Sequence, residues 1–293
     1  MRTNKNLEVK SKAWKHLFFL CALCVLCGLI GCENHWMKEA TAHMHRHNFE
    51  WVTNSAVSTP TETIQTLACT TGCNTTRGTR TVSTISGSTQ SLISSGGIIT
   101  GGQPDEDGKL VIPSMIGGVN ITTIGERAFI GGTFTNLIRD ITSLEIGDGI
   151  ETIGKDAFRH NLNLTNVKLP NTLLHIGETA FRNAENLPSI TIPNSVLTIG
   201  DEAFAQCRVL TEITIPANVT YIGRSAFNVC YELRTVIMRP TTPPELGITP
   251  PGSITVFSST HAELKIYVPS GYGDTYKAAT GWTTLASKIE EMP

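Results

Sequence analysis

The dipeptide Ile-Gly recurs at Ile124-Gly125, Ile153-Gly154, Ile176-Gly177, Ile199-Gly200 and Ile222-Gly223, at intervals of 29, 23, 23 and 23 residues. Each is followed at a fixed distance by Ala-Phe, at Ala128-Phe129, Ala157-Phe158, Ala180-Phe181, Ala203-Phe204 and Ala226-Phe227. Six residues after the last four Phe stand Leu164, Leu187, Leu210 and Leu233, and after Phe129 a six-residue insertion displaces the matching residue to Ile141. A 23-residue unit buries about six apolar side chains, roughly 10 to 18 kcal/mol gross. Ordering it costs roughly 1 to 2 kcal/mol per residue. One unit therefore cannot fold alone, and the period forces neighbouring units to stack, Ile on Ile and Phe on Phe.

Each Leu or Ile leads into a short alternating run: Leu144-Glu145-Ile146, Val167-Lys168-Leu169, Ile190-Thr191-Ile192, Ile213-Thr214-Ile215 and Val236-Ile237-Met238. Period-two alternation marks a short strand with one buried face. Pro170, Pro193 and Pro216 follow three of these runs, and a residue without an N–H ends a ladder. The stretch after each Ile-Gly is too short for a full helix and suits one or two helical turns. One strand plus one short helical element every 20 to 29 residues is the pattern of a leucine-rich repeat solenoid.

On these strands the residues between the apolar ones face outward. They are Ser143 and Glu145, Asn166 and Lys168, Ser189 and Thr191, Glu212 and Thr214, and Thr235 and Ile237. They form two stripes, small and polar with mixed charge and no aromatic anchor, and are the candidate binding face. Strong protein hot spots favour Trp, Tyr or Arg, so the stripes suit modest, multivalent binding or a plain scaffold surface.

The N-terminus has Lys10, Lys12 and Lys15 followed by an apolar run from Leu17 to Ile30. This is the build of an export signal and too short for a comfortable membrane span. The run ends Leu29-Ile30-Gly31-Cys32, which resembles the bacterial lipobox. The resemblance implies that Cys32 is lipidated and that residues 1–31 are removed. Removal takes five of the 23 basic and one of the 25 acidic residues and leaves a net charge of −6. That balance argues against nucleic acid as a partner.

The remaining chain divides by composition. Residues 32–49 read as a tether, in which His35, His43, His45 and His47 have no carboxylate or Cys partner at metal-site spacing. Residues 50–83 read as a small Cys-containing β module. Cys69 and Cys73 are a candidate disulfide or two free thiols, and no further ligands complete a zinc site. Residues 84–108, rich in Ser and Gly, read as a linker or as the irregular first edge of the solenoid. The repeats span 109–239.

From residue 239 the period fails, and Pro240, Pro243, Pro244, Pro250 and Pro251 interrupt the chain. Residues 240–293 read as a C-terminal cap, with an alternating run at Leu264 to Val268 and two short helices at Asp274 to Ala279 and Leu285 to Ile289. Cys207 and Cys230 lie one period apart and read as a ladder of small buried residues continued from Asn161 and Ala184.

The IPxxVxxIGxxAF phrase, the opening repeat LVIPSMIGGVNITTIGERAF, the terminal LKIYVPSGYGDTYKAATGWTTLASKI and the lipobox together resemble the BspA-like leucine-rich repeat surface proteins, over about residues 109 to 285. Residues 43 to 80 resemble more weakly a Trp- and Cys-containing module found before such repeats. That module usually has a closer cysteine pair, and the Cys-x3-Cys spacing here departs from it. The resemblance implies a cell-surface protein, exported and lipid-anchored to the bacterial envelope at the outer membrane or cell surface. Some family members bind host matrix or plasma proteins such as fibronectin or fibrinogen, or mediate coaggregation with other bacteria, and others have no known ligand; adhesion is the function the resemblance implies. A structural envelope lipoprotein without an external ligand is the other reading.

Catalysis finds no foothold in the sequence. No Gly-x-Ser-x-Gly, HExxH or phosphate loop is present, and His160, His175 and His261 have no Ser or Cys partner at fixed spacing. No enzyme activity, cofactor or metal is expected.

Overall fold

The computed structural model describes residues 49–53, 62–69, 76–84, 90–131, 140–247 and 256–293, the first three segments as backbone only. Cys32, the export signal, the tether up to residue 48 and Cys73 lie outside the described residues, so the lipidation and disulfide expectations do too. The chain divides into two compact units, residues 1–50 with 68–76, and residues 51–67 with 77–293. Of the first, only Phe49, Glu50, Ala68, Cys69 and Thr76 are described, at the ends of strands Phe49–Thr53, Glu62–Cys69 and Thr76–Thr84. The second unit holds the repeats.

Of the two readings of residues 84–108, the described part from residue 90 on supports the first edge of the solenoid and not a linker. Strand Ser91–Ser95 pairs antiparallel with the end of Thr76–Thr84 on one side and with Ile98–Gln103 on the other. Gly96 and Gly97, both with positive φ, make the turn between Ser91–Ser95 and Ile98–Gln103. Leu92 and Ile99 are fully buried, so the two apolar residues that the Ser and Gly composition conceals begin the core. Ile98–Gln103 then pairs parallel with Thr123–Ile124 and carries this sheet into the repeats.

The repeats contribute strands to two sets of parallel pairings. The first is the expected one: Lys109–Ile112, Ser143–Ile146 and Asn166–Lys168 pair in register, and Glu212–Ile215 pairs with Thr235–Met238. The second is built from two-residue strands ending at the Ile of each Ile-Gly. Thr123–Ile124, Thr152–Ile153, His175–Ile176, Thr198–Ile199 and Tyr221–Ile222 pair successively, and Glu245–Leu246 comes next. The Gly after each Ile is required by close approach. A Cβ on Gly200 would stand 2.6 Å from the Glu178 nitrogen, and one on Gly223 2.3 Å from the Asp201 nitrogen.

The first ladder breaks at the run Ile190-Thr191-Ile192, which is not a strand although Ile190 and Ile192 are buried. Pro188 gives the cause. In the other repeats the residue at this place donates its N–H to the repeat before: Thr142 to Gly108, Thr165 to Thr142, and Arg234 to Thr211, at 2.8 to 2.9 Å. Proline has no N–H to give, and here it only accepts, from Thr211 at 3.4 Å.

The helical turn expected in each unit is absent from the described residues 109–239, which form hydrogen-bonded turns instead. Asp156, Thr179, Glu202 and Ser225 have positive φ, as do His160, Asn183, Gln206 and Val229 four residues further on, and left-handed residues cannot continue a right-handed helix. The N–H groups that a helix would turn back on itself point to the next repeat. Asp156 donates to Glu178, Phe158 to Ala180 and His160 to Arg182, at 2.8 to 2.9 Å. The turns thus knit repeat to repeat, as the strands do.

The core between these elements is a set of columns. Ile124, Ile153, Ile176, Ile199 and Ile222 are buried one above another, and Phe129, Phe158, Phe181, Phe204 and Phe227 stack with centroids 5.4 to 5.5 Å apart and planes within 12° of parallel. The columns do not stop at residue 239. Phe257 stacks on Phe227 at 5.5 Å, Leu246 continues the Ile column, and Lys265–Val268 pairs parallel with Thr235–Met238.

The last repeat therefore runs on to Val268, its period lengthened by residues that include 248–255, outside the described set. Beyond Val268 lie helix Gly273–Ala278, 3₁₀ helix Thr283–Lys288 and strand Ile289–Glu291, which pairs with Lys265–Val268. Tyr276 and Trp282, fully buried and edge to face at 5.0 Å, donate to the carbonyls of Pro240 and Pro244. Two of the prolines that interrupt the sequence pattern, Pro240 and Pro244, are thus tied to this C-terminal segment.

Candidate functional site

The strand register lays the predicted outward residues side by side. Ser143 faces Asn166, and Glu145 faces Lys168; Glu212 faces Thr235, and Thr214 faces Ile237. Asn166, Lys168, Ser189, Thr191 and Glu212 are exposed, whereas Ser143, Glu145, Thr214, Thr235 and Ile237 are half-buried. Ser189 and Thr191 keep their outward exposure without a ladder beneath them, because of Pro188. The two stripes therefore exist, interrupted at the third of the five predicted strands.

The N-terminal end of the face is charged and internally paired. Glu145 accepts from Lys168 Nζ at 2.7 Å and lies 3.9 Å from Lys109 Nζ. The hydrogen bond from Lys168, helped by the charges of Lys168 and Lys109, holds the Glu145 carboxyl below its ordinary range. The same bond raises Lys168. Exposed pairs of this kind contribute little to stability, and their main effect here is to leave no bare charge at this end. The middle of the face carries Ser and Thr hydroxyls.

The C-terminal end differs from expectation. Tyr267 stands beside Ile237 in the same stripe, and Lys265 beside Thr235. Both were missed because the alternating run at 264 to 268 reads as part of a cap. The available signal was Leu264, which continues the buried Leu column 31 residues after Leu233. The face therefore has an aromatic residue next to an aliphatic one, which corrects its description as lacking an aromatic anchor.

Groups with other chemistry are placed without convergence. His175 Nδ1 lies 2.8 Å from Thr198 Oγ1 on the exposed short-strand side, and no carboxylate bonds its other nitrogen among the described residues. Burial lowers the pKa of His160 in its turn, with the charge of Arg159 adding to the effect, and His261 Nδ1 accepts from the Glu263 N–H. Among the described residues no group of three His, Cys, Asp or Glu side chains could hold a metal ion. Cys207 and Cys230 are free, buried thiols, and burial pushes Cys230 up to about 12, which makes them poor nucleophiles.

The BspA type leucine rich repeat region matches residues 122–243 in six copies. The chain carries BspA-type leucine-rich repeats. The matched span covers the stacked Ile-Gly and Ala-Phe columns, and the structure extends the BspA-type pattern to Val268.

Several solved structures are similar. A leucine-rich repeat protein of T. pallidum is 21% identical, covering 66% of this chain and 89% of that one, with a TM-score of 0.44. A leucine rich cell surface protein of Faecalibacterium prausnitzii is 22% identical, covering 72% and 54%, with a TM-score of 0.45. A leucine-rich repeat protein of Bacteroides ovatus is 22% identical, covering 64% and 53%, with a TM-score of 0.40. The chain thus spans little more than half the length of the latter two. No curated protein gives a significant match. No helix among the described residues is long and apolar enough to cross a membrane.

Proposed function

We propose that this chain is a lipid-anchored protein of the bacterial cell surface that binds host matrix or plasma proteins, or the surface proteins of other bacteria, through the outer face of its repeats. The observation that carries this reading is the face itself. Side chains from Ser143 to Lys168, and again from Glu212 to Tyr267, are held outward in strand register, on a body whose folding needs are met by the columns behind them. A surface that the core does not use, on a rigid support, is free to contact a partner. Cys32 is the proposed site of the lipid, at the start of the tether of residues 32–49. Saturable binding of purified residues 33–293 to immobilised fibronectin or fibrinogen, or to partner bacteria, is the expected result, and its absence on every one of these surfaces refutes the reading. Replacing Cys32 by Ala should abolish lipid labelling in cells, and persistent labelling removes the anchor.

A structural envelope role without an external ligand is favoured by a different observation. The charges at the N-terminal end of the face already satisfy one another, Lys109 and Lys168 with Glu145. Protease treatment of intact cells separates the two: cleavage of the repeats supports surface display, and protection supports the inner role.

A further inference from the structure

We infer that the repeat body is hinged at the run Ser189-Ile190-Thr191-Ile192. The outer face opens and closes there, while the short-strand and turn sides stay joined and serve as the hinge. The support is thus rigid within each block of the face, residues 143–168 and 212–267, and jointed between the two. This goes beyond the surface-binding reading and does not rest on it.

The face side is untied on both flanks of this run. Among the described residues, no backbone N–H of Ser189, Ile190, Thr191 or Ile192 donates to another backbone group, and none of their carbonyls accepts from one. The runs before and after are strands, Asn166–Lys168 and Glu212–Ile215, each paired only on its far side, with Ser143–Ile146 and with Thr235–Met238. Packing loosens along the same line. Val167 and Ile190 keep 8% and 7% of their surface exposed, against 0 to 1% for Leu144, Ile213 and Val236 at the same place in other repeats. A run without ladder bonds, over a looser core, belongs to the low end of local stability. Pro188 removes the donor that begins the ladder in neighbouring repeats. It is exposed, as Thr165 and Thr211 are at the same place, so a threonine fits there without disturbing the core.

The other two sides run through the same repeat unbroken. Thr152–Ile153, His175–Ile176, Thr198–Ile199 and Tyr221–Ile222 pair in succession. Turn bonds cross both boundaries, from Phe158 to Ala180 and from Phe181 to Ala203, each at 2.8 Å. Phe181 stacks on Phe158 and on Phe204, at 5.4 and 5.5 Å. A body tied along two sides and untied along the third has one soft motion, a rotation that widens or narrows the untied side. The gap does not admit an added strand. A strand inserted between two others needs them about 9.6 Å apart, whereas the rings of adjacent repeats here stand 5.4 to 5.5 Å apart. The seam is therefore a joint and not a docking slot.

Two measurements on purified residues 33–293 test the hinge. In hydrogen exchange resolved to single amides, Ile190 and Ile192 should exchange at least about tenfold faster than Ile213 and Ile215, which stand at the same places in a paired strand. Pro188→Thr returns the missing donor and should slow Ile190 and Ile192 to the rate of Ile213 and Ile215. The second measurement reads the angle between the blocks. Spin labels carried on a keto amino acid at positions 109 and 265, roughly 30 Å apart along the face, should give a distance distribution in pulsed resonance that narrows in Pro188→Thr. Parent amides at 190 and 192 that exchange as slowly as those at 213 and 215 show a closed ladder and overturn the hinge. A parent distribution already as narrow as that of Pro188→Thr overturns it too, and fast exchange that Pro188→Thr leaves unchanged overturns Pro188 as its cause. Neither readout involves a partner, so the hinge and the surface-binding reading stand or fall separately.

Discussion

Asn161 donates from its buried carboxamide to the carbonyl oxygen of Phe129 at 2.8 Å, and to that of Phe158 at 2.9 Å. Two and three repeats later, Cys207 and Cys230 occupy the same column and turn their thiols to the carbonyls of Phe181 and Phe204, at 3.6 and 3.2 Å. Ala184, between them, offers no donor. The column thus fills space in every repeat and answers a buried carbonyl in most, with the strongest donor nearest the N-terminus. The cysteines need no redox or metal role to account for their spacing.

Replacing Asn161 by Ala removes both bonds from a residue only 3% exposed and leaves its two acceptors dry. The expected loss is about 1 to 3 kcal/mol. For a body of this size each kcal/mol lowers the midpoint by roughly 2 to 4 °C, which thermal unfolding of the variant will measure.

Burial raises Cys207 well above 9.0 and Cys230 from 9.0 to about 12. The folded state therefore holds protons that the unfolded state releases, so stability falls as pH rises. The contribution is fully present below about 9 and is lost as pH climbs toward 12, with a slope of roughly 1.4 kcal/mol per pH unit for each thiol. Tyr276, raised by the same cause, adds to the decline. Denaturant unfolding between pH 8 and 11 should show a steeper fall in the parent than in a Cys207→Ala, Cys230→Ala double variant, in which only the thiols are missing.

Gly200→Ala should be among the most damaging single changes in the repeats. Its Cβ would lie 2.6 Å from both the Glu178 nitrogen and the Gly177 carbonyl carbon, backbone atoms fixed by the short-strand ladder. The expected cost is roughly 3 kcal/mol or more. Gly271→Ala meets nothing within 4 Å and strains only a φ of +82°, at about 1 to 2 kcal/mol. Comparing the two midpoints separates the steric cost from the conformational one.

The columns were legible because stacking demands the same residue at the same place in every unit, and Ile199, Phe204 and Leu210 announce it. The short-strand ladder was not, because two residues such as Thr198-Ile199 are too few to show an alternation. The turns were misjudged as helical because their short length is compatible with either form, and nothing in residues as different as Asp156, Thr179 and Glu202 announces a positive φ. Pro188 could have been read as a ladder breaker, since it stands where Thr165 and Thr211 donate. Tyr267 was hidden by the lengthened last unit, whose prolines mask the continuing column of Leu246, Phe257 and Leu264. The outward alternation was thus legible through the six-residue insertion before Ser143 and Glu145, but not the loss of the strand at Ile190-Thr191-Ile192 nor the strand at Lys265–Val268.

The central claim, that the outer face of the repeats is the binding surface, is tested most directly by adding bulk and charge to that face and to the turn side separately. Saturable binding of residues 33–293 to a matrix protein or partner bacterium should be lost in a Thr191→Arg, Thr214→Arg variant and kept in Lys155→Glu, on the turn side, with all three proteins equally folded. Binding that survives the face variant and disappears with the turn variant would contradict the account.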